Sequence, residues 1–177
     1  MQASTTEIGR ESTTALPSYV MAAVEPKALN RVVDQLSREQ GIRLVAPTSG
    51  RHNLVVQLSS NEPAKVYSFV NKLRSMKGVS RTRTLIAFEG YLSGKQLAPD
   101  EALALVCLNI HEQPGKVLES LRQTPIHGAH IVPGEFDIIA TVSGKDHNEV
   151  LERIAKIAEI PGVDGSEALF AYKPVWA

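Results

Sequence analysis

The chain has 177 residues, of which 43% are hydrophobic and 21% are charged, and its formal net charge is zero. This composition is typical of a folded globular protein, and no run approaches the roughly 20 apolar residues that cross a membrane as a helix. The polar segment 1–17 lacks the apolar core of a signal peptide, and the single Cys107 cannot form an intrachain disulfide, so we expect a cytoplasmic protein.

The charges are divided unevenly along the chain. Residues 1–89 contain 12 Lys and Arg against 7 Asp and Glu, and residues 90–177 contain 7 against 12. The two halves therefore carry net charges of about +5 and −5. Such asymmetry either steers two halves or two subunits together or is an incidental property of solvated surfaces.

In chain order, residues 1–17 are predicted to be a disordered tail, and residues 18–89 form a first folded unit. Runs of strand length alternate in this unit with segments of helical apolar spacing. The predicted order is βαββαβ. Its elements are the strand 19–24, the helix 26–39, the strands 42–47 and 53–59, the helix 62–76 and the strand 79–88.

A second unit, residues 102–177, follows a linker over 90–101 that contains Gly90, Gly94 and Pro99. It predicts the same order of elements. These are a strand in 101–110, a helix in 113–123, strands in 128–134 and 136–142, a helix in 145–160 and a strand in 161–172.

The two units are an internal repeat. Gly134 follows Gly50 by 84 residues, and at this offset residues 50–88 align with the second unit without a gap. The apolar positions of the first unit fall on apolar positions of the second. Two copies of one structural unit follow from this register.

The βαββαβ order predicts the α+β class. Each unit should be ferredoxin-like, an antiparallel four-stranded sheet with both helices on one face. The other sheet face also carries apolar residues and needs a cover. Two sheets packed face to face, as a covalently fused pseudo-dimer, provide it.

Three motifs in the second unit carry a family resemblance. They are the corner Gly134-Glu135-Phe136-Asp137, the segment "IIATVSGKDHNEV" that leads into the second helix, and the closing "IPGVDGSEALFAY". Residues 102–174 resemble on this basis the C-terminal ligand-binding domain of the Lrp/AsnC family, also called the RAM domain. The first unit resembles it mainly through the internal repeat.

The resemblance implies a function. It implies a module that binds an amino acid or related small molecule, forms homo-oligomers of pseudo-dimers, and regulates transcription, in some cases together with another Lrp/AsnC-type regulator. We expect no counterpart of the helix-turn-helix domain of that family in these residues, and therefore no direct nucleic-acid binding. Neither catalysis nor a cofactor is expected.

The resemblance also implies where the ligand binds, which is between dimers, near the corner and the loop that enters the second helix. Asp137 would bind the ammonium group of an amino acid, and backbone N–H groups near Ser143, Gly144 and Lys145 would bind its carboxylate. Phe136 would shape the side-chain pocket. The implied ligand-binding set is Gly134, Glu135, Phe136, Asp137, Ser143, Gly144, Lys145 and Asp146.

Simpler roles compete at the same residues. Asp137 is also suited to bond nearby backbone, with Phe136 in an interface. Ser143 and Asp146 are better suited to helix capping than to ligand contacts. Gly134 is predicted to serve backbone geometry.

In the first unit the corner reads Gly50-Arg51-His52-Asn53 and has lost the acidic residue, the aromatic and the Asp. We interpret it as a degenerate second site, which either binds a more acidic ligand or is purely structural. At most one ligand site per chain of the family type is therefore expected.

Other polar groups favour no catalytic or metal site. His127 and His130 are three residues apart, so strand alternation places them on opposite faces and no shared metal is expected. The basic set is more typical of a solvated face, or of a docking site for an acidic neighbour, than of a nucleic-acid surface. It consists of Lys72, Arg74, Lys77, Arg81 and Arg83.

Three alternatives remain open. An ACT-like amino-acid regulatory domain has the same strand order and pairs its sheets edge to edge. A small enzyme of the dimeric α/β-barrel type needs a polar cavity between the sheets, against which the apolar strands argue. A ligand-free assembly scaffold would respond to no small molecule.

Overall fold

The structure is a computed structural model that describes residues 15–176. The tail predicted over 1–17 therefore falls largely outside the described residues. None of the helices in the described range is long and apolar enough to span a membrane.

The first unit has the predicted βαββαβ order. Its elements are β1 (Ser18–Val24), α1 (Pro26–Leu36), β2 (Ile42–Pro47), β3 (Leu54–Leu58), α2 (Pro63–Ser75) and β4 (Val79–Ile86). Proline at the first position of both helices fixes a helical φ where the N–H has no intrahelical partner.

The second unit repeats this order. After β5 (Glu89–Leu92) come β6 (Ala102–Ile110), α3 (Pro114–Arg122), β7 (Gly128–Ile131), β8 (Ile138–Gly144), α4 (His147–Ala158), β9 (Val163–Phe170) and β10 (Val175–Trp176). The two sheets run β10-β2-β3-β1-β4 and β5-β7-β8-β6-β9. All strand pairs are antiparallel.

Two short strands cross between the units, and the sequence analysis did not predict them. β5 begins at Glu89, the last residue predicted for the first unit, and continues into the predicted linker. It pairs with β7, Leu92 opposite Gly128, whereas β10 pairs back onto β2, Trp176 opposite Leu44. Each unit thus donates one edge strand to the other unit's sheet. The units are interlocked at both ends as well as joined by the chain.

Strand alternation divides the buried residues between two layers. On β1, Val20 and Ala22 face the helices of their own unit, whereas Tyr19 and Met21 face the other sheet. On β6, Leu105 and Cys107 face the same inter-sheet layer. The predicted α+β fold, with two ferredoxin-like units packed face to face, is confirmed.

The inter-sheet layer is not wholly apolar. Tyr19 is fully buried, and its hydroxyl lies 2.8 Å from Nδ1 of His130 and 3.3 Å from Nε2 of Gln57. Gln57 and His130 are buried too. The apolar strands were expected to leave no polar cavity between the sheets. The layer nevertheless buries three polar side chains, which bond one another.

Burial controls the protonation of this cluster. It raises the pKa of Tyr19, so the hydroxyl stays protonated, and it lowers the pKa of His130 to about 4, an effect that the charge of Arg43 increases. The imidazole is therefore neutral at pH 7. A neutral ring can accept a hydrogen bond at Nδ1 from the hydroxyl of Tyr19.

We expect His130 to make the protein sensitive to acid. Its folded-state pKa lies below the ordinary 6.5, so below that pH the unfolded chain binds the proton more readily than the folded chain. The shifted pKa therefore makes the free energy of unfolding about 3 kcal/mol larger above about pH 6.5 than below pH 4. This difference is lost progressively as the pH falls from about 6.5 towards 4. In His130→Gln, which cannot titrate, urea unfolding measured across this range should lose that part of the pH dependence. Parallel curves for the two proteins would contradict the assignment.

Candidate ligand-binding site

The corners of the two units meet at one margin of the inter-sheet layer. The first corner, residues 50–53, precedes β3, and the second, residues 134–137, precedes β8. Between them lies a cavity of about 270 Å³, which we call the corner cavity. Its lining comes from both units: Met21, Arg51, His52, Arg74, Ser80, Arg81, Thr82, Arg83, Glu135, Phe136 and Glu167.

The corner cavity contains more cationic than anionic groups. Four arginines line it, against the carboxylates of Glu135 and Glu167. Arg83 forms an ion pair with Glu135 that joins the two units. Arg51, Arg74 and Arg81 have no carboxylate oxygen within 4.0 Å among residues 15–176. The cavity therefore offers unpaired guanidinium groups beside a free carboxylate.

His52 adds a neutral polar group to this wall. Partial burial lowers the pKa of its imidazole, and the nearby charges of Arg83, Arg81 and Arg51 lower it further. The opposing influence of Glu167 is the smallest. His52 is thus uncharged at neutral pH and can donate from one ring nitrogen and accept at the other.

Phe136 contributes apolar surface to the corner cavity. It is 8% exposed and packs in the inter-sheet cluster with Met21, and both also line the cavity. Phe136 therefore lies in the interface between the sheets and also borders the corner cavity.

Asp137 bonds the backbone of the neighbouring strand β6. Its Oδ2 accepts a hydrogen bond of 2.9 Å from the backbone N–H of Ile110, where the pairing of β6 with β9 shifts register. Asn53 does the same in the first unit, because its side chain accepts from Val24 N at 2.8 Å and donates to Val24 O at 2.7 Å, again at a register shift. Asp137 and Asn53 therefore perform the same structural task, which is to bond a backbone N–H at an irregular point of the sheet.

The predicted ligand-binding set is not one site within a single chain. Ser143 and Gly144 lie in β8 rather than in the first turn of α4, and Ser143 is buried. At about 3.3 Å per residue they are roughly 20 Å from Asp137, at the opposite end of the strand. Asp137 and the Ser143–Lys145 backbone of one chain therefore cannot hold the same small amino acid.

Asp146 caps α4, as its simpler role predicts. One of its carboxylate oxygens accepts from Glu149 N at 2.9 Å, which satisfies a backbone N–H that has no partner within the helix. Lys145 and Asp146 are both exposed at this turn.

Gly134 does not have the backbone role predicted for it. Its φ is not positive, and a Cβ there would make only ordinary contacts, the nearest at 3.8 Å. The constraint is found at Gly50, whose φ of +105° is strained for any other residue. A Cβ at Gly50 would also lie 3.3 Å from Leu169 of the other unit.

The two histidines with three-residue spacing have separate surroundings. His130 bonds Tyr19 in the inter-sheet layer, whereas His127 lies 3.4 Å from the hydroxyl of Ser93 and packs against Trp176. Cys107 is buried, which raises the pKa of its thiol to about 12. Within residues 15–176 no group of three His, Cys, Asp or Glu side chains is arranged to hold a metal ion.

Three of the four arginines on the corner cavity, Arg74, Arg81 and Arg83, belong to the basic set that was interpreted as a solvated face or as a docking site for an acidic neighbour. The position of Glu167 on the same cavity was not predicted. The internal repeat held the missing signal. Arg51 is equivalent to Glu135 and Arg83 to Glu167, so opposite charges occupy equivalent positions. Residues near the axis that relates the two units face each other when the sheets pack.

Comparisons with known proteins fit this architecture. Residues 18–97 match the family model of the Lrp/AsnC ligand binding domain. The matched region is the first unit together with β5, although the motifs noted above lie mainly in the second unit. Search of the curated proteins finds no significant match.

Several solved structures share the fold. The siroheme decarboxylase NirDL superposes with a TM-score of 0.68 and 11% identity over 89% of this chain and 71% of that chain. The same enzyme in complex with an iron-uroporphyrin III analogue gives a TM-score of 0.69 at 10% identity, with the same coverage. A chlorite dismutase variant from Candidatus Nitrospira defluvii gives 0.57 at 6% identity, over 88% and 89% of the two chains.

The shared task of Asn53 and Asp137 makes a prediction about stability. Loss of a buried hydrogen bond costs about 1–3 kcal/mol, so both Asn53→Ala and Asp137→Ala should lower the free energy of unfolding by about that amount. Asp137→Asn should cost less than about 0.5 kcal/mol, because an amide already makes the equivalent bonds at Asn53. Urea denaturation of the three variants measures this. An Asp137→Asn variant as unstable as Asp137→Ala would show that the charge, not the bond, is required.

Proposed function

We propose that the chain is a small-molecule-binding module whose ligand, an amino acid or closely related small carboxylate, occupies the corner cavity. The observation that carries the proposal is the meeting of both corners around unpaired guanidinium groups and a free carboxylate. The Lrp/AsnC ligand-binding match of residues 18–97 supports a binding role for this part of the chain.

The chemistry of the lining suits an amino acid. Arg51 and Arg81 present guanidinium groups, which bind carboxylates through paired hydrogen bonds. Glu167 lies on the same cavity and suits an ammonium group. Met21 and Phe136 offer apolar surface to a side chain. An amino acid needs these three kinds of contact together.

The ion pair between Arg83 and Glu135 does not block this use. The two side chains are 43% and 47% exposed, and ion pairs as exposed as this contribute about 0–1 kcal/mol. A ligand carboxylate can therefore replace Glu135 as the partner of Arg83 at little cost.

The wider role follows as a proposal from the same family match. In this proposal the second unit is also of the RAM type. The chain binds its amino acid without catalysing a reaction, so mass spectrometry should recover the bound amino acid unchanged. The chain regulates transcription in the cytoplasm through association with another regulator, without reading DNA itself. Three residues of the basic set, Arg74, Arg81 and Arg83, line the corner cavity together with Glu135 and Glu167, which favours a binding or docking role for them over nucleic-acid contact.

Assembly into homo-oligomers is supported by exposed apolar side chains at equivalent positions of the two units. Tyr67 on α2 and Leu151 on α4 are 70% and 50% exposed, and Phe88 and Tyr172 are each 67% exposed. Exposed large apolar groups are typical of contact surfaces. Sedimentation velocity of the purified chain tests this part, and a monomer at all concentrations would contradict it.

A thermal-melt screen against the twenty amino acids tests the ligand and its site. A ligand at 100 times its dissociation constant should stabilise the wild type by about 2.7 kcal/mol. In Arg81→Gln the shift should be lost, whereas in Asp137→Asn it should remain. The matched control is Arg38→Gln, which removes an exposed arginine whose one ion pair within residues 15–176 is with Asp34 on α1.

The variants separate the possible outcomes. A shift that survives in Arg81→Gln but disappears in Asp137→Asn would place the ligand at the carboxylate of the family corner and contradict the corner cavity. The absence of a shift with all twenty amino acids would contradict the amino-acid ligand and leave the assembly scaffold as the better account.

A further inference from the structure

A second cavity lies at a different margin of the inter-sheet layer, where the crossing strands close it. Its volume is about 400 Å³, and we call it the linker cavity. Arg43 on β2 and Gln57 on β3 line it from the first unit, and His127, just before β7, and Trp176 on β10 line it from the second. The linker segment 92–97 supplies the remaining wall.

Arg43 is the polar group that this cavity leaves unsatisfied. Its Nη2 donates to the carbonyl of Ala15 at 3.1 Å, but its Nη1 is buried and has no hydrogen-bond partner among residues 15–176. A buried donor on a charged group is costly to leave unpaired. An anionic acceptor in the linker cavity would satisfy it.

The other charges fix how many negative charges such a ligand should carry. Lys95 lines the cavity, but Nζ of Lys95 lies 3.6 Å from a carboxylate oxygen of Glu101. Burial lowers the pKa of His127, so its ring is neutral at pH 7. The unpaired Arg43 is then the one uncompensated charge among the charged groups named here, and one carboxylate balances it.

The remaining wall is apolar and aromatic. The ring of Trp176 packs edge-on to His127 with centroids 5.8 Å apart, and Leu92 and Leu97 line the same space. The amide of Gln57 gives a further polar contact. A ligand for this site therefore combines a carboxylate with a compact apolar body.

We propose that the linker cavity binds a small monocarboxylate, with its carboxylate on Arg43 and its apolar part against Trp176. The site needs both units and both crossing segments, since its walls come from β2, β3, the linker and β10. It shares no lining residue with the corner cavity. The proposal stands independently of the amino-acid ligand.

The single tryptophan makes the test direct, because Trp176 is the only one in the chain. Titration with hexanoate or cyclohexanecarboxylate, neither of which absorbs with tryptophan, should change the fluorescence of Trp176 saturably. Hexanamide, which has the same shape without the charge, should bind about tenfold more weakly or worse. Arg43→Gln should lose binding by a similar factor, and Arg38→Gln should bind as the wild type does.

Arg43→Lys guards against a folding effect, since it keeps the charge and should retain weaker binding if Arg43→Gln fails to fold. The corner-cavity variant Arg81→Gln should bind hexanoate normally. The proposal is overturned if neither carboxylate changes the fluorescence saturably, if hexanamide binds as well as hexanoate, or if a folded Arg43→Gln binds like the wild type.

Discussion

The inter-sheet layer is the contact on which the rest of the structure depends. The helices of each unit cover one face of its sheet. The other face packs against the opposite unit, with Tyr19 of the first sheet and Leu105 of the second in the contact. Without the opposite unit, neither sheet would have both of its faces buried. The exchange of β5 and β10 adds backbone hydrogen bonds at the margins, so the fused units behave as one interlocked body. Both cavities lie at margins of this layer and take their walls from both units.

Fusion of two repeats in one chain allows equivalent positions to differ. Two identical chains would place like charges at equivalent positions near their axis, and like charges that are close together repel. Here Arg51 is equivalent to Glu135 and Arg83 to Glu167, and Arg83 pairs with Glu135. Equivalent positions also differ outside the corner cavity, where Arg43 is equivalent to His127 and Gln57 to Thr141. The opposite net charges of the two halves thus have a local counterpart where the units meet.

Much of the fold could be predicted because apolar periodicity and the internal repeat are visible in the sequence without knowledge of how the strands pack. The strand 42–47 has the predicted bounds, and both helices of each unit were identified. β5 and β10 could not be predicted because four and two residues carry no periodicity, and only the opposite unit's edge makes them strands. The start of β8 was placed two residues early, because Asp137 bonds β6 before the ladder begins.

The two corners could be located from the sequence, but neither their contacts nor the cavity between them could. The corners were recognised from Gly50 and Gly134, yet nothing local indicates that Asp137 bonds Ile110 or that the two corners share a cavity. Both facts depend on how distant strands pack. The replaced corner, interpreted as degenerate, keeps the structural bond through Asn53 and adds Arg51 and His52 to the cavity wall.

The most direct test of a ligand held between the units is an amide chemical-shift titration of the isotope-labelled chain with an amino acid that stabilises it. We predict that the largest shifts fall on both units together, at residues 51–52 and 81–83 of the first and at 135–136 and 167 of the second. Shifts confined to one unit, or to the turn at residues 145–146, would contradict the account.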